Sequence, residues 1–247
     1  MAMRQEERSP EATKRLARVA GGVYVVLGLA TAVGFYHAPL VGSDLHALAQ
    51  GMIRSEVRFR IGVVMDLLST VLSVPLALVL YQLLKCVDKT KAFLMALLLI
   101  LAMPISFVVA LNYVAAQWLL SGASVVAAIG TGEREALGML FLRLHEHGVL
   151  AVEIFWGLWL VPFGLLVKKS GFLPRVLGIL LVIAGVAYVA HSLVSLLLGG
   201  ARFVPYERVT MLARAAGEFP IMLWLLIKGA DARLPRPPAA ITNNRRE

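Results

Sequence analysis

The chain has 247 residues, of which 59% are hydrophobic and 16% charged, and its mean hydropathy is +0.79. That balance leaves too little polar side chain to cover a water-soluble globule, so a lipid bilayer must be part of the solvent and a partner of the chain. A formal charge of +9 would suit nucleic acid, but the 24 Lys and Arg residues fall between apolar runs rather than on one basic face, so the charge reads as topological and no nucleic-acid partner is expected.

Residues 1–18 form a basic segment that carries five Lys and Arg. At about 1.5 Å of rise per helical residue, roughly 20 apolar residues cross the hydrocarbon core. Six windows qualify: Val19 to Ala38, Ile61 to Leu84, Ala92 to Val114, Gly148 to Val167, Val176 to Leu198 and Val209 to Ile227. Ala30, Thr31 and Ala32 resemble a signal cleavage site, yet the preceding segment holds Glu6, Glu7 and Glu11, unlike a basic leader, so the first window is read as a retained span. Pro104 and Pro162 fall inside the third and fourth windows, where neighbouring helices can satisfy the freed backbone groups.

Between the first two spans, residues 39 to 60 mix Asp44, His46, Arg54, Glu56, Arg58 and Arg60 with spaced apolar residues; between the third and fourth, residues 119 to 143 mix Gly and Ala with Glu133, Arg134 and Glu135. Both are expected on one side of the membrane as interfacial helices or a cap. A cytoplasmic N-terminus puts five Lys and Arg before the first span, three at Lys85, Lys89 and Lys91, three at Lys168, Lys169 and Arg175, and five from Lys228 onward inside, 16 in all, against 8 outside. The positive-inside bias therefore predicts an all-α, polytopic bundle of about six spans with both termini inside, a span domain over 19–229 and a disordered, Pro-containing tail over 230–247. Trp118 and Trp224 fit interfacial anchoring, and Tyr36 with His37 fits headgroup contact. The single cysteine, Cys86, has no partner for an internal disulfide and reads as an inert helix-end residue.

Ionisable groups inside a bilayer cost about 2.5 to 3.5 kcal/mol each on insertion scales and need a partner or water. Counted from the outer ends of their spans, Asp66, Asn112, Glu153, His191 and Arg214 fall within roughly a 10 Å layer of the outer half, and Glu218 lies one turn further in. Asp66, Ser69, Thr70 and Ser73 share one helical face, as do Ala184, Tyr188, His191, Ser192 and Ser195. Two readings follow. Arg214 and Glu218, spaced i, i+4, can form an ion pair while Asp66, Asn112 and His191 tie helices together. Alternatively, Asp66, Asn112, His145, Glu153, His191, Arg214 and Glu218 line a cavity that binds or conducts a small solute or proton.

His145-Glu146-His147 adds ligand types of zinc and iron, but two residues of spacing points the imidazoles about 200° apart, so any metal would need Glu153, His191 or Asp66 from other spans. That leaves an intramembrane metal-dependent hydrolase, or a haem protein with axial His145 and His191, as alternatives, with cofactor, substrate and oligomeric state undetermined. No phosphate loop, dinucleotide fingerprint, serine elbow or Cys-pair motif occurs.

The run from His145 through Trp156-Gly157-Leu158-Trp159-Leu160-Val161-Pro162-Phe163-Gly164, then Lys169-Ser170-Gly171-Phe172-Leu173-Pro174-Arg175-Val176-Leu177-Gly178, with Ala184-Gly185-Val186-Ala187-Tyr188, Glu218 and Leu223 to Gly229, resembles a prokaryotic domain-of-unknown-function family, number forty-three eighty-six. The resemblance extends back to Arg18-Val19-Ala20-Gly21 and implies six spans and a membrane location, with no activity attached.

Overall fold

Backbone N–H and C=O groups in hydrocarbon must be satisfied within their own segment, which leaves long apolar runs the helix as their only spanning form. The computed structural model describes residues 9–37, 45–198 and 204–230. It consists of α1 (Pro10–His37), α2 (Leu45–Arg54), α3 (Glu56–Leu84), α4 (Lys89–Ser121), α5 (Thr131–Ser170), α6 (Arg175–Leu198) and α7 (Val204–Ile227), with one short 3-10 turn at Ser124–Val126 and no strand among the described residues. Six of these helices, all but α2, are long and apolar enough to cross a membrane. The chain is an all-α, multi-pass membrane protein. Residues 1–8, Asp44, the side chain of His46 and the tail 231–247 lie outside the described residues.

Hydropathy marks the lipid thickness, not the helix ends, and the helices overrun the expected spans. Most of the segment 119–143 is not a separate cap: α4 runs on to Ser121 and α5 starts at Thr131, so these helices of 33 and 40 residues reach about 50 and 60 Å, well past a 30 Å core. Local chemistry explains the extension. Glu133 accepts the Gly130 N–H at 3.3 Å, and Arg143 pairs with Glu146 one turn on at 3.0 Å, so the first turns of α5 are stabilised without lipid. The segment 39–60 does supply a short amphipathic helix, α2, which packs across α3, α4 and α5.

Turn residues set the other boundaries. Asp88 caps α4 by accepting the Lys91 N–H at 3.0 Å and also meets the Lys91 ammonium. Gly122 and Gly171 end α4 and α5 at φ of 68° and 73°, a left-handed conformation that glycine adopts without strain. Pro75, Pro104, Pro162 and Pro220 all sit within continuous helices.

The six long helices form a closed ring. Each packs on its neighbour in the order α1, α3, α4, α5, α6, α7, and α7 packs back on α1. Close approach comes from small residues where lipid offers no hydrophobic drive between helices. Gly157 faces Gly185 and Gly164 faces Gly178 so tightly that a Cβ on either Gly157 or Gly164 would lie 2.5 Å from the opposite glycine's carbonyl oxygen.

Side chains fill the ring in layers. Towards the end bearing Lys85, Lys89, Lys91, Lys168 and Lys169, here the basic end, Tyr24, Leu80, Met95, Phe163, Leu181 and Leu225 belong to one buried apolar cluster contributed by all six long helices. At the far end Met52, Phe59, Tyr113, Ala116 and Leu142 make a second cluster under α2. Between them lie Val109, Val149 and Val152, and the polar groups.

Candidate intramembrane polar site

A single polar layer across the spans resolves into two sites on different faces of α5. Helical spacing places His145, Val149, Val152 and Trp156 along one stripe and Glu153, Gly157, Leu160 and Gly164 along another. The first stripe lines a cavity with Asp66 of α3 and Ser106 and Val109 of α4. The second packs on α6, as the Gly157 and Gly164 contacts require.

On the α6 side, Glu153 is the hub. One of its carboxylate oxygens is 2.6 Å from Nδ1 of His191, and the other accepts from the Arg214 guanidinium, also at 2.6 Å. These side chains are only 6%, 3% and 16% exposed respectively, so the charge is held by protein rather than by water. Ser192, next to His191, donates to the Leu150 carbonyl at 2.5 Å and pins α6 to α5 at the same level. The guanidinium of Arg214 also lies over the Tyr188 ring, 4.7 Å from its centroid. The Tyr188 hydroxyl donates to Glu218 at 2.8 Å, and the Tyr24 hydroxyl donates to the other Glu218 oxygen at 2.5 Å. The network thus joins α1, α5, α6 and α7.

This arrangement corrects the expected Arg214–Glu218 ion pair. The guanidinium reaches across to Glu153 instead, and two tyrosine hydroxyls satisfy Glu218. Spacing of i, i+4 permits a pair on one helix, but inside a bundle the partner that most needs compensation decides, and among the described residues Glu153 has only His191 besides.

On the other side, Asp66 and His145 share the cavity with Ser106 and Trp156, and its volume is about 10 Å³. His145 is 1% exposed, and its Nδ1 lies 3.0 Å from the Val109 carbonyl. Its ring stacks on Tyr113 at 3.5 Å, with Phe59 edge-on behind. No hydrogen bond among the described residues links the Asp66 cavity to His191, so the shared Asp66–His191 cavity expected from depth alone becomes two sites. Asn112 joins neither: its amide donates back to the Val108 and Val109 carbonyls of its own helix.

Among the described residues no three His, Cys, Asp or Glu side chains converge as a metal-ligand set. His145 faces α4 and His191 faces Glu153, so nothing in the geometry favours the hydrolase or the haem alternative. Sequence reading missed Tyr24 as a ligand of Glu218, and missed Ser106 and Tyr113 around His145. A hydroxyl-bearing aromatic inside an apolar run was the available signal, since a buried Tyr hydroxyl needs a partner.

A ring of six apolar helices around buried, mutually paired ionisable groups defines an integral membrane protein with an intramembrane polar site. The sequence profile of the domain of unknown function DUF4386 matches residues 19–229, and the chain belongs to that family. An uncharacterised protein of Archaeoglobus fulgidus is 37% identical over 76 residues, which are 31% of this chain and 43% of the relative. The chain therefore spans less than half the length of that curated relative. No solved structure matches.

Proposed function

We propose that this chain is a multi-pass protein of the prokaryotic cell membrane, with both termini cytoplasmic, whose Glu153–His191–Arg214–Glu218 network binds and exchanges a proton from the outer side. Charge counting carries the reading. Two carboxylates, Glu153 and Glu218, are linked through one guanidinium and one imidazole. With both acids ionised and His191 neutral, the described residues of the network hold net negative charge away from water, which is costly. One further proton, on His191 or on a carboxyl, balances it.

Binding fits better than conduction, because the inner half of the ring is filled by apolar side chains such as Leu80, Met95, Phe163 and Leu225. A bulky solute fits poorly beside a neighbouring cavity of about 10 Å³.

Acid-minus-alkaline infrared difference spectra of the protein in lipid nanodiscs test the proposal. A protonated-carboxyl or imidazolium signal is expected in the wild type, with loss or displacement in Glu153→Gln, Glu218→Gln and His191→Gln. Superimposable difference spectra for the wild type and all three variants refute it.

A further inference from the structure

The cavity on the α3–α4 face of α5 has an unusual lining. His145 Nδ1 faces a carbonyl, so in the neutral ring it is the protonated nitrogen and Nε2 is a bare acceptor. That Nε2 is buried and has no hydrogen-bond partner among the described residues. Asp66, on the same cavity, forms no side-chain hydrogen bond or ion pair among the described residues. Ser106 spends its hydroxyl proton on the Ala102 carbonyl at 3.0 Å, which turns its remaining lone pairs into further acceptor capacity. Trp156 also lines the cavity. The site therefore offers acceptors on Asp66, Ser106 and the His145 imidazole, beside the indole of Trp156, whose N–H is a donor.

We propose that the Asp66–Ser106–His145 cavity binds a single hydrogen-bond-donating cation of about the size of water, with ammonium as its class of ligand. Three physical arguments select that class. First, a volume of about 10 Å³ matches roughly one water-sized particle. Second, a ligand that satisfies both Nε2 and a carboxylate must bring N–H or O–H groups, and a positive charge also supplies a counter-ion to an intramembrane Asp66 that has none among the described residues. Third, bare alkali and alkaline-earth ions favour all-oxygen shells, while a transition metal would need further ligands that do not converge here. His145 is held ready for this role: stacking on Tyr113 and the Val109 contact fix its ring, so Nε2 needs no reorganisation to accept. The proposal is independent of the Glu153 network.

The test is thermal unfolding of the full chain in nanodiscs, titrated with ammonium chloride at constant pH and ionic strength against sodium chloride. A saturable rise in Tm is expected with ammonium, as ligand binding to the folded state requires, and none with tetramethylammonium. Asp66→Asn should abolish the rise. Ser106→Leu, which fills the cavity from α4 and leaves the Asp66 carboxylate and the His145 imidazole in place, should abolish it as well, so a poorly folding Asp66 variant does not decide the matter. An equal response to sodium, a response that survives both substitutions, or no saturable response to ammonium at any concentration overturns the proposal; the last outcome would leave the cavity to a water molecule alone.

Discussion

Replacing Arg214 with Ala isolates the charge balance of the network. The substitution removes a guanidinium that sits 2.6 Å from Glu153, whose carboxylate is only 6% exposed, and leaves that carboxylate with His191 as its partner. Breaking one side of a buried ion pair costs about 3 to 5 kcal/mol, because the remaining charge has lost its compensation and has no water to turn to. Arg214 is itself 16% exposed, so some solvent can follow the vacated space, and the expected loss is at the lower end, about 3 kcal/mol. The double variant Arg214→Ala, Glu153→Ala should be more stable than Arg214→Ala alone, since removing both partners leaves no orphaned charge. Arg214→Lys should fall between wild type and Ala, because it retains the charge but loses the planar fork and the stacking over Tyr188. Equilibrium unfolding in mixed micelles, followed by the intrinsic fluorescence of the four tryptophans, reads all of these. Unchanged stability of Arg214→Ala, or a double variant whose loss equals the sum of the single losses, would refute the ion-pair reasoning.

Three further outcomes are expected. A reporter fused after Glu247 should be cytoplasmic and a tag inserted near Gly132 accessible from outside, as the charge asymmetry of 16 to 8 requires; an external C-terminus would invert the assignment. Gly164→Val should destabilise the α5–α6 pair by about 1 to 3 kcal/mol or more in the same unfolding assay, because its Cβ would meet the Gly178 carbonyl at 2.5 Å, and wild-type stability would mean that the two helices are not in close contact. At the α3–α4 turn, hydrogen bonding from the Lys91 ammonium and N–H lowers the Asp88 carboxyl below its ordinary value. A folded pKa below the unfolded one contributes stability that is present above the unfolded pKa and lost as pH falls through the folded one, so Asp88→Asn should remove an acid-side part of the pH dependence and leave neutral-to-alkaline behaviour with no added slope.

The spans were legible because the bilayer imposes one period and one length on every segment, and six windows gave six long helices. The overrun of α5 was not. Residues 131 to 147 are too charged to register in a hydropathy window, yet Glu133, Arg143 and Glu146 are good helix formers that pair along the axis. Depth was partly legible, since helical rise converts sequence offset into position along a helix; of the residues assigned to one layer, Glu153, His191 and Arg214 do meet. Azimuth was not, because it depends on which helices are neighbours, and the ring order α1, α3, α4, α5, α6, α7 is a tertiary fact. Two adjacent residues of α5 show the consequence. Val152 and Glu153 differ by about 100° around the axis, so the first faces the Asp66 cavity and the second faces His191. Polar groups at equal depth were thereby divided between two sites.

Glu218 marks the lower boundary of the network, and its partners show why the polar layer stops there. Both of its oxygens accept tyrosine hydroxyls, from Tyr24 at 2.5 Å and from Tyr188 at 2.8 Å, and each tyrosine presents a large apolar ring on the other side of that bond. The Tyr24 ring belongs to the apolar cluster of the basic half and lies 6.0 Å from Trp159, so one side chain ends the polar network and begins the dry core. Tyr24→Phe keeps the ring and removes only the donor. Hydrogen bonds to charged groups contribute about 1.5 to 3 kcal/mol, so a loss within that range is expected by equilibrium unfolding in mixed micelles. Tyr24→Phe in a Glu218→Gln background should cost less, because the acceptor no longer carries charge. Equal costs of Tyr24→Phe in the two backgrounds would mean that Tyr24 acts on the core alone, and that Glu218 draws no stabilisation from its hydroxyl.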